Sequence, residues 1–215
     1  VFLYSVKYNR THFDFMNVLS QIGLGYFFVY LIALIPGKKY LALGLASIGI
    51  LCSYSLIMHQ MVPVEPSVDG IAEDVDPIQI DVYKRDANAG TRFDRWLLNL
   101  FPRPTELGPY QQNKGGYQTL NFLPSMVTML FGVVCGWILL DTPGKGRMVS
   151  GIFLLGVLLL ALSIPVESLD GPMIKKIWTS SWTLFSGGVV VVILGLLVVL
   201  FDLMPLEKVG GPIAV

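Results

Sequence analysis

Charged side chains are scarce in this chain. Only 14% of its 215 residues are Asp, Glu, Lys or Arg, while 53% are hydrophobic; soluble domains carry about 25% charged residues. The 15 basic and 15 acidic residues cancel to a net charge of zero, so no basic excess indicates nucleic acid as a partner. This composition is typical of a membrane protein.

Cysteine is also rare, since Cys52 and Cys135 are the only two in the chain. Both lie within apolar runs, where a free thiol acts as a small hydrophobic side chain, and we expect neither a disulfide nor a metal site. The chain starts at Val1 and lacks the basic start, apolar core and small-residue cleavage site of a signal peptide. We therefore expect it to be a fragment of a longer protein.

Five apolar segments are long enough to span a bilayer, which takes about 20 mostly apolar residues. They lie at about 18–36, 41–62, 122–140, 148–166 and 182–204, and none has a charged residue in its interior. The sequence thus predicts an all-α fold, in which residues 1–215 form a single, partial transmembrane helix bundle. One long loop, residues 63–120, separates the second and third spans.

Two pairs of small residues are spaced for close helix packing. Gly132 and Gly136 form a Gly-xxx-Gly pair in the third span, and Ala42 and Ala46 form a weaker pair in the second. Such spacing lets helix backbones approach each other in lipid. We expect these pairs to lie at helix contacts.

The distribution of basic residues predicts the orientation. The positive-inside rule makes the richer side cytoplasmic, and long loops translocate regardless of their charge. We therefore place the loop at 63–120 on the extracytoplasmic side of a bacterial inner membrane. Five basic residues lie on the predicted cytoplasmic side, against four on the other: Lys38, Lys39, Lys145, Arg147 and Lys208 against Lys7, Arg10, Lys175 and Lys176.

The long loop has an acidic part and an amphipathic part. Glu73, Asp74 and Asp76 do not match the ligand spacing of a calcium loop, and we interpret that part as a solvated face. Residues 93–101 repeat apolar side chains at helical spacing until Pro102. This pattern predicts a short amphipathic helix on the membrane surface or on the bundle, with Asp94 and Arg95 on or beside its polar face.

Four stretches, in order, resemble the heparan-α-glucosaminide N-acetyltransferase family, and most closely its bacterial branch. Residues 17–24 are similar to its Gly-Val-Leu-Gln-Arg-Ile-Gly segment, and residues 93–98 to its Asp-Arg-Leu-Leu stretch. Residues 118–136 are similar to its Gly-xxx-Thr-Ile-Pro span. Residues 175–182 resemble its Asn-Lys-x-Leu-Trp-Thr-Ser-Ser-Tyr motif, which is the most specific of the four. Two positions depart from the family pattern: Gln21 stands for its Arg, and Ile174 for its Asn.

The resemblance implies transmembrane acetyl transfer from acetyl-CoA, as co-substrate, to a terminal glucosamine on the other side. The family's catalytic histidine lies in a region that precedes the matched part, so the resemblance assigns that role to neither His12 nor His59. No covalently bound cofactor is implied. Membrane lipids and an extracytoplasmic sugar are the expected partners.

Any chemistry should lie at the outer helix ends, because the spans contain no charged pair. Asp94 and Arg95 could contact a sugar or simply anchor their helix, and Lys175 could pair with an anion or extend to the interface. Trp178 could stack on a sugar ring or belong to the interfacial aromatic belt. We name these four as candidate substrate-binding residues. His59 could act as a base or cap a helix end.

Two functions are compatible with these features. The first is the acetyltransferase that the resemblance implies. The second is a non-catalytic accessory or structural subunit, associated with other membrane subunits or with itself, which is favoured by the charge-free spans and by Gln21. A transporter is disfavoured, because conducting pathways usually carry ionisable residues or broken helices near the midplane.

Overall fold

The computed structural model describes residues 13, 15–35, 39–60, 82–83, 88–102 and 108–203. Within these ranges there is no strand, and the predicted all-α fold is confirmed. A 3-10 turn, Thr119–Asn121, leads into the helix Phe122–Asp141, and a π-helical turn, Val199–Leu203, continues the helix Ser180–Val198. The six α-helices of the described ranges are α1 Val18–Ala33, α2 Lys39–Gln60, α3 Ala89–Asn99, α4 Phe122–Asp141, α5 Lys145–Asp170 and α6 Ser180–Val198.

Four helices of the described chain are long and apolar enough to cross a membrane: α2, α4 with its leading turn, α5, and α6 with its π turn. They match four of the five predicted spans, and they indicate an integral membrane protein. Helix α1 has 16 residues and measures about 24 Å at 1.5 Å per residue, less than the hydrocarbon thickness of about 30 Å. A crossing by α1 stays a prediction.

Contacts between helix ends define the two ends of the bundle. At one end, Lys39 forms an ion pair with Asp141, and the Lys145 ammonium donates to the Asp202 carbonyl oxygen at 2.6 Å. At the opposite end, the Tyr54 hydroxyl donates to the Ile177 carbonyl oxygen at 2.6 Å. We call this second end, where α2 and α5 end and α4 and α6 begin, the loop end.

The basic residues lie at the two ends of the bundle as the sequence predicts. Lys39 and Lys145 lie at one end, and the segment that contains Lys175 and Lys176 lies at the other. Which end faces the cytoplasm stays a prediction. Several residues named from the sequence lie outside the described ranges: Lys7, Arg10, His12, Lys38, Glu73, Asp74, Asp76 and Lys208.

Helices α5 and α6 cross closely at Gly156 and Gly188. A Cβ built on Gly188 would lie 2.9 Å from the Leu160 backbone nitrogen and 3.0 Å from the Gly156 carbonyl oxygen. By contrast, no described atom lies within 4 Å of a Cβ built on Gly132 or Gly136. The expected close contact at that pair is therefore wrong within the described chain, because these glycines line an open furrow between α4 and α6.

Candidate functional site

Helix α3 packs on the bundle through small and polar side chains. Asn88 caps it, since the Asn88 Oδ1 accepts from the Thr91 backbone N–H at 3.1 Å. Thr91, Asp94 and Leu98 are buried one turn apart, whereas Trp96 is 60% exposed. The helix was predicted at residues 93–101 and begins four residues earlier, because the cap at Asn88 fixes its start.

Asp94 was predicted on or beside the polar face of its helix; that face packs on the bundle, and Asp94 is fully buried there. Both carboxylate oxygens lie 3.1 Å from the Thr119 backbone nitrogen, which donates to them. Thr119 opens the 3-10 turn that leads into α4, and a helix start attracts negative charge through its free N–H groups. Asp94 therefore fixes α3 against the beginning of α4.

Gln118 joins the same two elements through its side chain. Its Nε2 donates to the Asn88 Oδ1 at 2.6 Å and to the Thr91 Oγ1 at 3.1 Å. Gln118 is 4% exposed, and its Oε1 has no hydrogen-bond partner among the described residues. A buried acceptor left without a partner is costly, and this oxygen lies against Gly90.

These side chains line a cleft of about 270 Å³ at the loop end, which we call the polar cleft. Its walls come from α3, from the segment between α3 and α4, and from the segment between α5 and α6. Amide, hydroxyl and carboxylate groups are the side chains that recognise hydroxyl-rich molecules. The lining residues are Tyr83, Asn88, Thr91, Asp94, Tyr110, Asn113, Gly116, Tyr117, Gln118, Ile174, Lys176 and Ile177.

Gly90 is required by this packing, which gives a testable prediction. A Cβ at Gly90 would lie 1.9 Å from the Gln118 Oε1 and 2.6 Å from its Cδ. Gly90→Ala should push Gln118 away from Asn88 and Thr91 and cost about 1–3 kcal/mol of stability, as measured by thermal unfolding in detergent. Gly44→Ala is the matched control, since no described atom lies within 4 Å of its Cβ; equal unfolding temperatures would contradict this account.

The Trp-Thr-Ser-Ser motif shapes the wall between α5 and α6. The Thr179 Oγ1 donates to the Pro172 carbonyl oxygen at 2.9 Å and accepts from the Ile174 backbone N–H at 3.0 Å. The Ser181 Oγ donates to the Gly171 carbonyl oxygen at 2.9 Å. Thr179 also caps α6. The motif therefore closes a tight loop and places Lys176 and Ile177 at the cleft.

Of the four predicted substrate-binding residues, Asp94 alone lines the polar cleft. Arg95 is exposed, and its Nε donates to the Gln111 carbonyl oxygen at 3.3 Å. Lys175 is exposed beside Lys176, which does line the cleft. Trp178 is held in the left-handed region at φ 55°, where non-glycine residues are uncommon, and its buried Nε1 has no partner among the described residues.

A second polar cluster surrounds Asp170 at the end of α5, and sequence reasoning missed it. The Tyr83 hydroxyl donates to the Asp170 Oδ1 at 3.0 Å, and the Ser55 hydroxyl bonds the same oxygen. Burial and, after it, the Asp170 charge raise the pKa of Tyr83, which keeps its hydroxyl protonated as a donor. The Asp170 Oδ2 is buried and has no partner among the described residues.

His59 faces this cluster from α2. Its Nδ1 lies 2.9 Å from the Ser55 carbonyl oxygen and 3.7 Å from the Asp170 Oδ1. A carbonyl oxygen only accepts, so Nδ1 is the nitrogen that donates in this hydrogen bond. The ring stands edge-on to Tyr83, with centroids 5.9 Å apart. Tyr83 therefore lies between His59 and the polar cleft.

Gln21, where the family has Arg, is buried at the start of α1. Its Nε2 donates to the Met16 carbonyl oxygen at 3.1 Å and to the Gln118 carbonyl oxygen at 3.4 Å. A neutral amide suits this place, because the position is 2% exposed and burial of an arginine charge there would carry a desolvation cost. Gln21 holds α1 against the segment that lines the cleft.

One sequence feature could have identified Asp170: it is a carboxylate directly before a glycine at the end of an apolar run. Gly171 takes a φ of 138°, and a Cβ there would lie 2.5 Å from the Tyr83 ring. No pattern marks Tyr83, which comes from the long loop.

Comparisons with protein-family models, with curated proteins and with solved structures found no match to this chain.

Proposed function

We propose that this chain is part of a membrane-embedded acyltransferase that moves an acetyl group from acetyl-CoA to the amino group of an extracytoplasmic sugar. One observation supports this above the others. The four stretches that resemble the acetyltransferase family meet at the polar cleft: Asp94, Gln118 and Lys176 line it, and Gln21 bonds the Gln118 carbonyl oxygen.

The chemistry of the cleft suits a sugar as the acceptor. Besides the hydrogen bonds that they exchange with one another, Asn88, Thr91 and Gln118 place amide and hydroxyl groups in the cleft wall, and such groups recognise sugar hydroxyls. Tyr110 and Tyr117 add aromatic surface, which packs on the apolar face of a sugar ring. A volume of about 270 Å³ lies near the lower bound of small-molecule sites, about 300 Å³.

Acetyl transfer to an amine also requires a proton acceptor. The amine nitrogen attacks the thioester carbonyl carbon, the C–N bond forms, the C–S bond breaks, and coenzyme A leaves as the thiol. His59 is our candidate to take the ammonium proton that the amine must lose, because the Ser55 carbonyl oxygen holds its Nδ1 and the Asp170 Oδ1 lies 3.7 Å away. A positioned base of this kind contributes about 10²–10⁴-fold to the rate.

The proposal is tested with the full-length protein in detergent, labelled acetyl-CoA, and glucosamine or glucosamine-terminated oligosaccharides as acceptors. We expect the label to appear as an N-acetyl group. If no amino sugar is acetylated and acetyl-CoA does not bind, the proposal is wrong.

His59→Gln should lower the transfer rate by about 10²-fold or more, because glutamine can replace the bond to Ser55 but cannot take a proton. Acceptor binding, measured by calorimetry, should stay within about twofold, because His59 does not line the polar cleft. An unchanged rate would exclude His59 as the proton acceptor and leave the cleft assignment standing.

A second candidate is an accessory subunit, favoured by an open furrow between α4 and α6. The furrow has a volume of about 250 Å³ and contains Thr128, Gly132, Gly136 and Gly187. Small residues that expose backbone in this way accept another transmembrane helix. Native purification separates the candidates: stable recovery with a larger membrane complex supports the subunit, and recovery alone or as a homodimer contradicts it.

A further inference from the structure

An apolar groove lies next to the Asp170 cluster on the membrane-spanning part of the bundle. It has a volume of about 640 Å³, within the range of small-molecule sites. Apolar side chains of α2, α5 and α6 form most of its surface. We call it the apolar groove; its lining residues are Ile48, Leu51, Cys52, Ser55, Leu56, Leu162, Val166, Leu169, Asp170, Ser180 and Leu184.

The loop end of this groove carries unsatisfied polar atoms. Ser180 is 3% exposed, and its buried Oγ has no hydrogen-bond partner among the described residues. The Asp170 Oδ2 is also buried without a hydrogen-bond partner among the described residues. The Asp170 Oδ1 accepts hydrogen bonds from the Ser55 and Tyr83 hydroxyls. Two oxygens without donors, one of them on a carboxylate, favour a ligand head that supplies hydrogen bonds and positive charge.

The groove and the polar cleft share a wall. Tyr83 lines the cleft, and its hydroxyl bonds Asp170, which lines the groove. A molecule that filled both would need a polar, hydroxyl-bearing head, a cationic group near Asp170 and a hydrocarbon chain. Burying each methylene of that chain yields about 0.8 kcal/mol where water is displaced, but lipid tails compete in a bilayer, so the head must supply the selectivity.

We infer that the acceptor is a lipid-linked amino sugar, whose chain lies in the apolar groove and whose amine reaches Asp170. The amine as the acetylated group rests on the proposed function, whereas binding of the amphiphile does not. This substrate class accounts for three features together: the groove, its unsatisfied head end and its position beside the cleft. It also places the amine beside Asp170, the partner of His59.

The experiment is photo-crosslinking in phosphatidylcholine nanodiscs with a decyl glucosaminide that carries a diazirine in its chain, without acetyl-CoA. Adducts mapped by mass spectrometry should fall on α2 and α5 around the groove. Unlabelled decyl glucosaminide should compete about tenfold better than decyl glucoside, which lacks the amine. Free glucosamine, which lacks the chain, should compete weakly.

Variants of one helix provide the matched control. Leu162→Trp fills the groove and should lower capture about tenfold, while Leu154→Trp, at an exposed site on α5 outside the groove, should leave it unchanged. Ser180→Ala should lower capture severalfold. Adducts spread over all lipid-facing helices, or equal capture by the two tryptophan variants, would overturn the inference.

The two proposals can fail separately. Acetylation of free glucosamine without capture of the probe would leave the proposed function standing and reject the lipid-linked acceptor. Capture at the groove without acetyl transfer to any acceptor would support the amphiphile site and reject the transferase.

Discussion

Replacing Asp94 with alanine should lower the free energy of unfolding by about 3 kcal/mol and abolish binding in the polar cleft. Asp94 is fully buried, and both of its oxygens accept from the Thr119 backbone N–H at 3.1 Å. Removing a charged acceptor leaves a buried donor unsatisfied, which costs about 1–3 kcal/mol or more, and the vacated volume adds a cavity cost. Chemical or thermal unfolding in detergent measures the stability change.

The neighbouring residue provides the control for Asp94. Arg95 is exposed and makes one hydrogen bond to the Gln111 carbonyl oxygen, so Arg95→Ala should cost less than about 1 kcal/mol. Asp94→Asn retains one acceptor oxygen and should fall between the two. If Asp94→Ala and Arg95→Ala unfold at the same temperature, Asp94 is not the link between α3 and the start of α4.

The sequence predicted the helices well and their contacts poorly, for a physical reason. Hydropathy is a local property, so four apolar runs identified the long helices α2, α4, α5 and α6. Helix contacts depend on the direction in which each face points. Gly132 and Gly136 have the spacing of a packing pair, yet the close crossing uses Gly156 and Gly188, which lie on different helices and form no pattern along the chain.

The candidate site shows the same division. The apolar spacing of residues 93–101 predicted the amphipathic helix, and Asp94 was selected as a site residue. Its burial could not be foreseen, because its partner Thr119 lies 25 residues away. Asp170 and Tyr83 are 87 residues apart and meet only when the bundle forms. A carboxylate that looks solvated in sequence can be buried when the fold supplies N–H or O–H donors.

Gly188→Ala should cause a large loss of bundle stability, about 1–3 kcal/mol, because the added methyl group meets backbone atoms as well as the Leu160 side chain. Its Cβ would lie 2.9 Å from the Leu160 nitrogen and 3.0 Å from the Gly156 carbonyl oxygen. Two helices must separate to admit it, since neither backbone atom can turn aside. For a chain of this size the change corresponds to a fall of about 2–12 °C in unfolding temperature.

Gly132→Ala is the matched control, because it adds the same methyl group to a transmembrane helix where no described atom lies within 4 Å. It should leave the unfolding temperature unchanged or raise it slightly, since alanine is the better helix former by about 1 kcal/mol. A double variant with Gly156→Ala should lose less than the sum of the single losses, because one separation of α5 from α6 accommodates both methyl groups. Equal stability of Gly188→Ala and Gly132→Ala would show that the glycine crossing does not hold α5 to α6.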